Sequence, residues 1–388
     1  MTERRVIVAA CVAFLGACLA LGGCGPERDE GRAATGAGVT GVRYLAGGED
    51  SAGFARATER RAFVFPADHG AHDRFRTEWW YFTGNVFDDD ERHYGFELTI
   101  FRIALTAPGP IRESSLAASE VWMAHLTVTD TARRRFQVAE RLSRGAAGLA
   151  GATPTGEPGE PVVVNVEDFA MRFSGDSVAL EAADADFGIE LTLAGLDRIV
   201  AQGDDGLDRR GPEPGNASFY FSAPRLRVEG EVRSAGRAPV AIEGTAWMDR
   251  EWGTSALSPD IAGWDWFALQ LDDGRDLMFY RLRGRDGSTS RFSGGSIADA
   301  AGNVTRLEAG SVELAPIREW TSRRTGVTYP VAWRITVPDQ NLELGIRPRL
   351  DEQELDVSVR YWEGAVSVTG TAGGEPVGGV GYLELAGY

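Results

Sequence analysis

Glu78-Trp79-Trp80-Tyr81-Phe82-Thr83-Gly84-Asn85-Val86 is a short run rich in aromatic residues, and its near-repetition later in the chain decides the fold. Trp264-Asp265-Trp266-Phe267, with Leu271 and Asp273 beyond it, reproduces Trp79-Trp80-Tyr81-Phe82 with Val86 and Asp88 at a constant offset of 185 residues. Each run leads into an acidic turn and another strand-like stretch, so the chain reads as a duplicated antiparallel unit. Working outward, alternating runs at 94–102, 121–130, 162–166, 225–232, 240–250, 276–283, 311–314, 332–337, 342–346, 355–361 and 381–385 are separated by Gly, Asp and Pro. That is more strand than one small barrel uses, and no long amphipathic helix is visible. The expected class is all-β, two antiparallel barrels in tandem, with 145–161 and 203–215 as Gly- and Pro-rich loop excursions.

The 388 residues suffice for two domains. With 43% hydrophobic and 25% charged residues the chain is globular rather than disordered or multi-spanning. The formal charge is −17 and all 40 basic residues are Arg, a balance that repels phosphate backbones, so no nucleic-acid partner is expected. Cys11, Cys18 and Cys24 all lie in the first 24 residues, which read as an export signal: Arg4 and Arg5, an apolar run over 6–21, then Leu21-Gly22-Gly23-Cys24. Residues 1–23 are therefore expected to be a signal peptide and 24–62, rich in Gly, Ala and charge, a flexible tether. The remainder holds no Cys, which excludes a thiol nucleophile, a thiolate metal site and a disulfide framework.

Alternation along a strand puts Glu78, Trp80, Phe82 and Val86 on one face and Asp265 on a face with Phe267, Leu269 and Leu271. A carboxylate among apolar neighbours has a raised pKa and can donate a proton, unless an Arg pairs with it and makes it structural. Trp247, Asp249 and Glu251 share a third face, where two acids beside an indole suit protonation of an alkene and stabilisation of the cation, or equally a salt-bridged edge. Asp68-His69-Gly70-Ala71-His72-Asp73 concentrates two His and two Asp in six residues. So short a loop lacks the further ligands a zinc site needs, only His93 and His125 remain, and no metal is expected. His125 reads as a base or as a satisfied structural His. Nucleophile-elbow, phosphate-loop, dinucleotide and zincin motifs are all absent.

The stretch 65–85, from Phe65-Pro66-Ala67-Asp68-His69-Gly70 to Phe82-Thr83-Gly84-Asn85, resembles the opening signature of the lipocalin-like AttH and carotenoid 1,2-hydratase superfamily. Met123-Ala124-His125, the stretch from Trp247 to Phe267, Tyr361-Trp362-Glu363-Gly364-Ala365-Val366 and Gly381-Tyr382-Leu383-Glu384-Leu385 resemble it too. The resemblance implies two lipocalin-like barrels, at 63–240 and 241–388. Its AttH-like branch implies an exported or lipid-anchored protein linked to ABC permeases, and Leu21-Gly22-Gly23-Cys24 is similar to a lipobox, implying acylation of Cys24. Its hydratase branch implies cofactor-free addition of water to an alkene with an Asp as acid, for which Asp249 and Asp265 are the candidates, with Glu251 alongside. The expectation is a cell-envelope lipoprotein that binds an apolar lipid or isoprenoid inside its barrels, near Glu78, Trp80, His125, Trp247, Trp264 and Trp266, with no cofactor. A hydratase and a ligand-free transporter-docking module are the alternatives.

Overall fold

Apolar residues at every second position, broken by Gly, Asp and Pro turns, build two antiparallel sheets in the computed structural model, which describes residues 51–109, 118–153, 160–255 and 257–388. The first sheet begins with β1 (Thr77–Phe87), β2 (His93–Ala104), β3 (Glu120–Asp130) and β4 (Arg135–Arg144). It continues through the short β5 (Ala150–Ala152), β6 (Val162–Val166), β7 (Phe169–Ser174), β8 (Ser177–Ala183) and β9 (Gly188–Ala194). It finishes with β10 (Val200–Ala201), β11 (Leu207–Arg209), β12 (Ala217–Arg233) and β13 (Val240–Gly253). The second sheet comprises β14 (Ile261–Leu271), β15 (Asp276–Gly284), β16 (Gly294–Ala298), β17 (Val304–Glu308) and β18 (Glu313–Thr321). Its remaining strands are β19 (Thr328–Val337), β20 (Leu342–Pro348), β21 (Glu354–Asp356), β22 (Arg360–Ala372) and β23 (Glu375–Ala386).

Both sheets follow one plan. The order β4-β3-β2-β1-β13-β12-β9-β8-β7-β6-β5 of the first is matched by β17-β16-β15-β14-β23-β22-β20-β19-β18 in the second, so β1 and β14, which carry the repeated motif, each pair with the next strand and with the last strand of their sheet. The first sheet curls until β6 returns against β2, β3 and β4, and each sheet forms a lipocalin-like barrel. Trp80, Phe82, Val86, Phe96, Leu98, Trp122, Phe169, Phe173, Phe221 and Trp252 fill the first interior, and Phe267, Leu269, Trp333, Ile335, Trp362 and Leu383 belong to the core of the second. A third cluster joins the barrels from outside, with Tyr81, Tyr220 and Trp247 of one against Trp266, Met278, Tyr280 and Tyr382 of the other. The approach is close: a Cβ on Gly95 would lie 2.7 Å from that of Ala365.

Two expected boundaries move. The division at 240 and 241 falls at the head of β13, which pairs with β1 and β12, so the change of sheet comes after Gly253. Of the expected tether at 24–62, the part from Ala55 onward is docked on the barrel. Thr254 Oγ1 donates to the Ala55 carbonyl at 2.5 Å, Ala57 is fully buried, and Phe63 packs edge-on against Phe221 and Trp252. The signal, Cys24 and the tether before residue 51 lie outside the described residues, among which no helix is long and apolar enough to cross a membrane.

Candidate functional site

Strand β13 carries opposite chemistry on its two faces. Met248, Arg250 and Trp252 point into the first barrel, whereas Trp247, Asp249 and Glu251 point towards the second. The register sets Asp249 between Tyr81 of β1 and Ser222 of β12, and Glu251 between Trp79 and Tyr220. Asp249 accepts hydrogen bonds from the Tyr220 hydroxyl (2.5 Å), the Ser222 hydroxyl (2.5 Å) and Trp247 Nε1 (2.7 Å). Burial dominates over these donors and over nearby Arg210, and pushes its pKa up to about 6. Glu251 is pushed up to about 7, again by burial, although Arg210 Nη2 reaches its two oxygens at 2.8 and 2.9 Å and Ser218 Oγ donates at 2.5 Å.

The second barrel supplies the opposite wall. Trp264 Nε1 donates to Glu384 Oε1 at 2.8 Å, and burial, with Asp249 and Glu251 nearby, raises Glu384 to about 7. Trp266 meets Tyr81 edge to face, ring centres 5.2 Å apart, and Trp247 at 6.3 Å. Asp249, Glu251, Glu384, Tyr81, Trp264 and Trp266, together with Trp79, Phe101, Tyr220, Tyr280 and Tyr361, line a pocket of about 100 Å³ between the barrels. The duplication is visible in it. Tyr81 opposite Asp249 on β13 corresponds to Trp266 opposite Glu384 on β23, and Tyr220 of β12 corresponds to Tyr361 of β22. Ala386 stands where the first copy has Glu251, so that acid belongs to one half alone.

Of the residues singled out from sequence, Asp249, Glu251, Trp264 and Trp266 line this pocket and Trp247 abuts it through Asp249 and Trp266. His125 stands one residue behind the wall, its Nδ1 2.5 Å from the Tyr361 hydroxyl and its Nε2 3.1 Å from Glu140. Glu78 and Trp80 do not reach the pocket: they lie inside the first barrel, where Glu78 is ion-paired with Arg102 and Arg250. Burial alone would raise Glu78, but the two guanidinium groups hold it well below the usual carboxylate range. Asp265 is ion-paired with Arg281 and Arg283 and accepts a hydrogen bond from the Tyr388 hydroxyl, away from the pocket. In the Asp-His-Gly-x-His stretch, Asp68 binds Arg61 at 2.6 Å, His72 stacks on Trp252 at 3.7 Å, and His69 is driven down to about 3 by burial and Arg250. Packed side chains form the core of each barrel, and the pocket described here lies at the seam between them.

Tyr81, Tyr220, Arg210, Glu384 and Tyr361 were not among the sequence candidates. Tyr81 was within reach, since alternation in β1 sets it on the face opposite Glu78; the others need the pairing of distant strands.

Two duplicated lipocalin-like barrels with carboxylic acids and aromatic rings facing across the seam define the class. The chain belongs to the AttH-like family, whose model matches residues 56–388. It is similar to a Nitrosomonas europaea protein assigned as AttH, at 35% identity and a TM-score of 0.76, over 86% of this chain and all of that one. Kievitone hydratase from Nectria haematococca shares the fold at 15% identity and a TM-score of 0.64, over 86% of this chain and 98% of that one. CghA with Sch210972 does so at 13% and 0.51, over 89% and 97%. No curated protein matches the sequence.

Proposed function

We propose that the protein takes an apolar, unsaturated small molecule into the seam between its barrels and adds water to it, with the Asp249 carboxyl as proton donor. The observation that carries this reading is the setting of Asp249: 3% exposed, facing an aromatic pocket, in no ion pair among the described residues, and raised to about 6. Its proton goes to one alkene carbon, the ring faces of Trp266 and Tyr81 steady the cation at the other, and water closes on that carbon and releases a proton to a carboxylate of the same pocket. Tyr220, Ser222 and Trp247, already donating to Asp249, hold the anion left behind. Kievitone hydratase gives a fold-level precedent for hydration on this scaffold.

The test is incubation of the purified protein with geraniol, farnesol and lycopene in H₂¹⁸O, read by mass spectrometry. A product heavier by one H₂¹⁸O supports the reading, and Asp249→Asn is expected to cut its formation by about 10²–10⁴-fold while the alkene still binds. Binding without product from any of them removes the hydratase and leaves an apolar-ligand carrier; absence of both removes the site. We place the protein in the bacterial cell envelope, lipid-anchored at Cys24 and acting with an ABC permease, on the support of the export-like start and its Leu21-Gly22-Gly23-Cys24 ending. Metabolic labelling with an alkynyl palmitate checks the anchor: Cys24→Ser is expected to lose the label, and a label that persists rejects it.

A further inference from the structure

Behind the pocket the seam holds a set of polar groups that the hydration step leaves unused. Glu363 of β22 stands directly opposite Glu384 of β23, two acids on one face of neighbouring antiparallel strands, a placement that is unfavourable when both are charged. Glu97 of β2 approaches from the first barrel, opposite Thr83 on one side and Thr127 on the other. Glu97 and Glu363 are fully buried, and among the described residues neither is in an ion pair. One oxygen of Glu363 has no hydrogen-bond partner there, the side-chain donor that bears on Glu97 is the Thr99 hydroxyl, and Tyr382 has the hydroxyls of Thr127 and Thr129 beside it. Two groups link the set to the pocket: Glu384, which lines it, and Tyr81, which also lines it and donates its hydroxyl hydrogen to Glu363.

We propose that Glu384 in the pocket wall, with Glu363 and Glu97 behind it, forms a shared-proton chain that accepts the proton water loses during hydration, Tyr81 giving Glu363 a second route to the pocket. The inference rests on the hydration reading for its chemical use and on strand register and burial for its existence. Two opposed acids and a third beside them, with Arg210 acting on Glu384 from the pocket side and, among the described residues, no cation on Glu363 or Glu97, hold fewer protons than they have sites and more than none, so the chain both donates and accepts. In the step itself the water oxygen bonds to the cationic carbon, the water O–H bond breaks towards Glu384, and the pair left on oxygen completes the alcohol. Glu384, which touches the pocket, is the accepting group; Glu363 and Glu97 act through it, and the titratable and charged groups facing the three are Tyr81, Tyr361 and Tyr382, with Asp249, Glu251 and Arg210 on the pocket side of Glu384. The directions agree, since burial and mutual repulsion push Glu97 up to about 8 and Glu363 well above the usual range.

Infrared spectroscopy of the substrate-free protein tests this. A protonated-carboxyl stretch is expected at neutral pH and is expected to weaken in both Glu97→Gln and Glu363→Gln, with Glu363→Gln moving the titration of what remains to lower pH because the opposed acid is gone. Tyr81→Phe is expected to keep the band but to slow its shift on transfer into D₂O several-fold. A band unchanged in both glutamine variants overturns the shared proton, and exchange unaffected by Tyr81→Phe overturns the Tyr81 route to the pocket. Because no readout needs turnover, this chain can fail while hydration stands, and hydration can fail while the chain stands.

Discussion

Glu78 and Asp249 are buried carboxyls on neighbouring paired strands, opposite Trp252 and Tyr81 respectively, and they behave as opposites. Glu78 points into the first barrel between Arg102 and Arg250, with the backbone N–H of His72 at 3.1 Å from each oxygen; it stays charged and ties the 51–76 segment to the barrel end. Asp249 points into the seam, where it is given hydroxyl and indole donors but no guanidinium in contact, and it holds its proton to about pH 6. Both sites desolvate the group. What separates structure from chemistry is whether a cation has been buried with the carboxylate.

The largest effect is expected from Glu78→Gln, which leaves Arg102 and Arg250 buried without their carboxylate and should destabilise the fold by about 3–5 kcal/mol, read as a lowered urea midpoint. A stable variant with full ion-pair loss would break the contrast by making Glu78 dispensable. Asp249→Asn should leave that midpoint nearly unchanged while removing the rate enhancement described above, and a variant that unfolds would place Asp249 with the structural acids. Trp266→Ala should weaken binding of farnesol by about 2 kcal/mol, measured by tryptophan quenching in the remaining indoles, whereas Trp80→Ala should cost stability instead.

The pH dependences should run in opposite senses. Glu78, lowered in the folded state, contributes stability present above its unfolded pKa and lost as pH falls through its folded value. Glu97, raised from 4.5 to about 8, contributes stability present below 4.5 and lost as pH rises through about 8, so Glu97→Gln should flatten the alkaline side of a thermal-stability profile and spare the acid side. Turnover by protonated Asp249 should decline as pH rises through about 6, and a profile that rises there instead would assign it as a base.

Alternation alone carried the fold a long way. The period of two in 78–86 and 264–271 set the strands, their duplication and the shared face of Trp247, Asp249 and Glu251, because those properties are local to one strand. It failed where partners come from afar. Nothing near Glu78 announces Arg102 or Arg250, which arrive from β2 and β13, so periodicity left a proton donor and an Arg-paired structural acid as alternative readings, and only the pairing of distant strands decides for the ion pair. Glu384 pairs across to Trp266 and faces Asp249 only because two barrels pack side by side, and no periodicity reports which outer faces meet. The pocket was sought inside the barrels for the same reason: a run of aromatic residues shows that a face is buried, and leaves open against what.

Because Arg250 and its neighbours Asp249 and Glu251 occupy successive positions on β13, the strand tolerates substitutions far better than it tolerates a change in its length. Loss of one codon from the stretch encoding 244–247 would shift the pairing of everything before it by a residue against β1 and β12, turning Trp247's face inward, or drag the acids into the Trp80 core and Arg250 out into the seam. Descendants of this gene should therefore vary in length at loops such as 203–215 and stay fixed in length through 244–253.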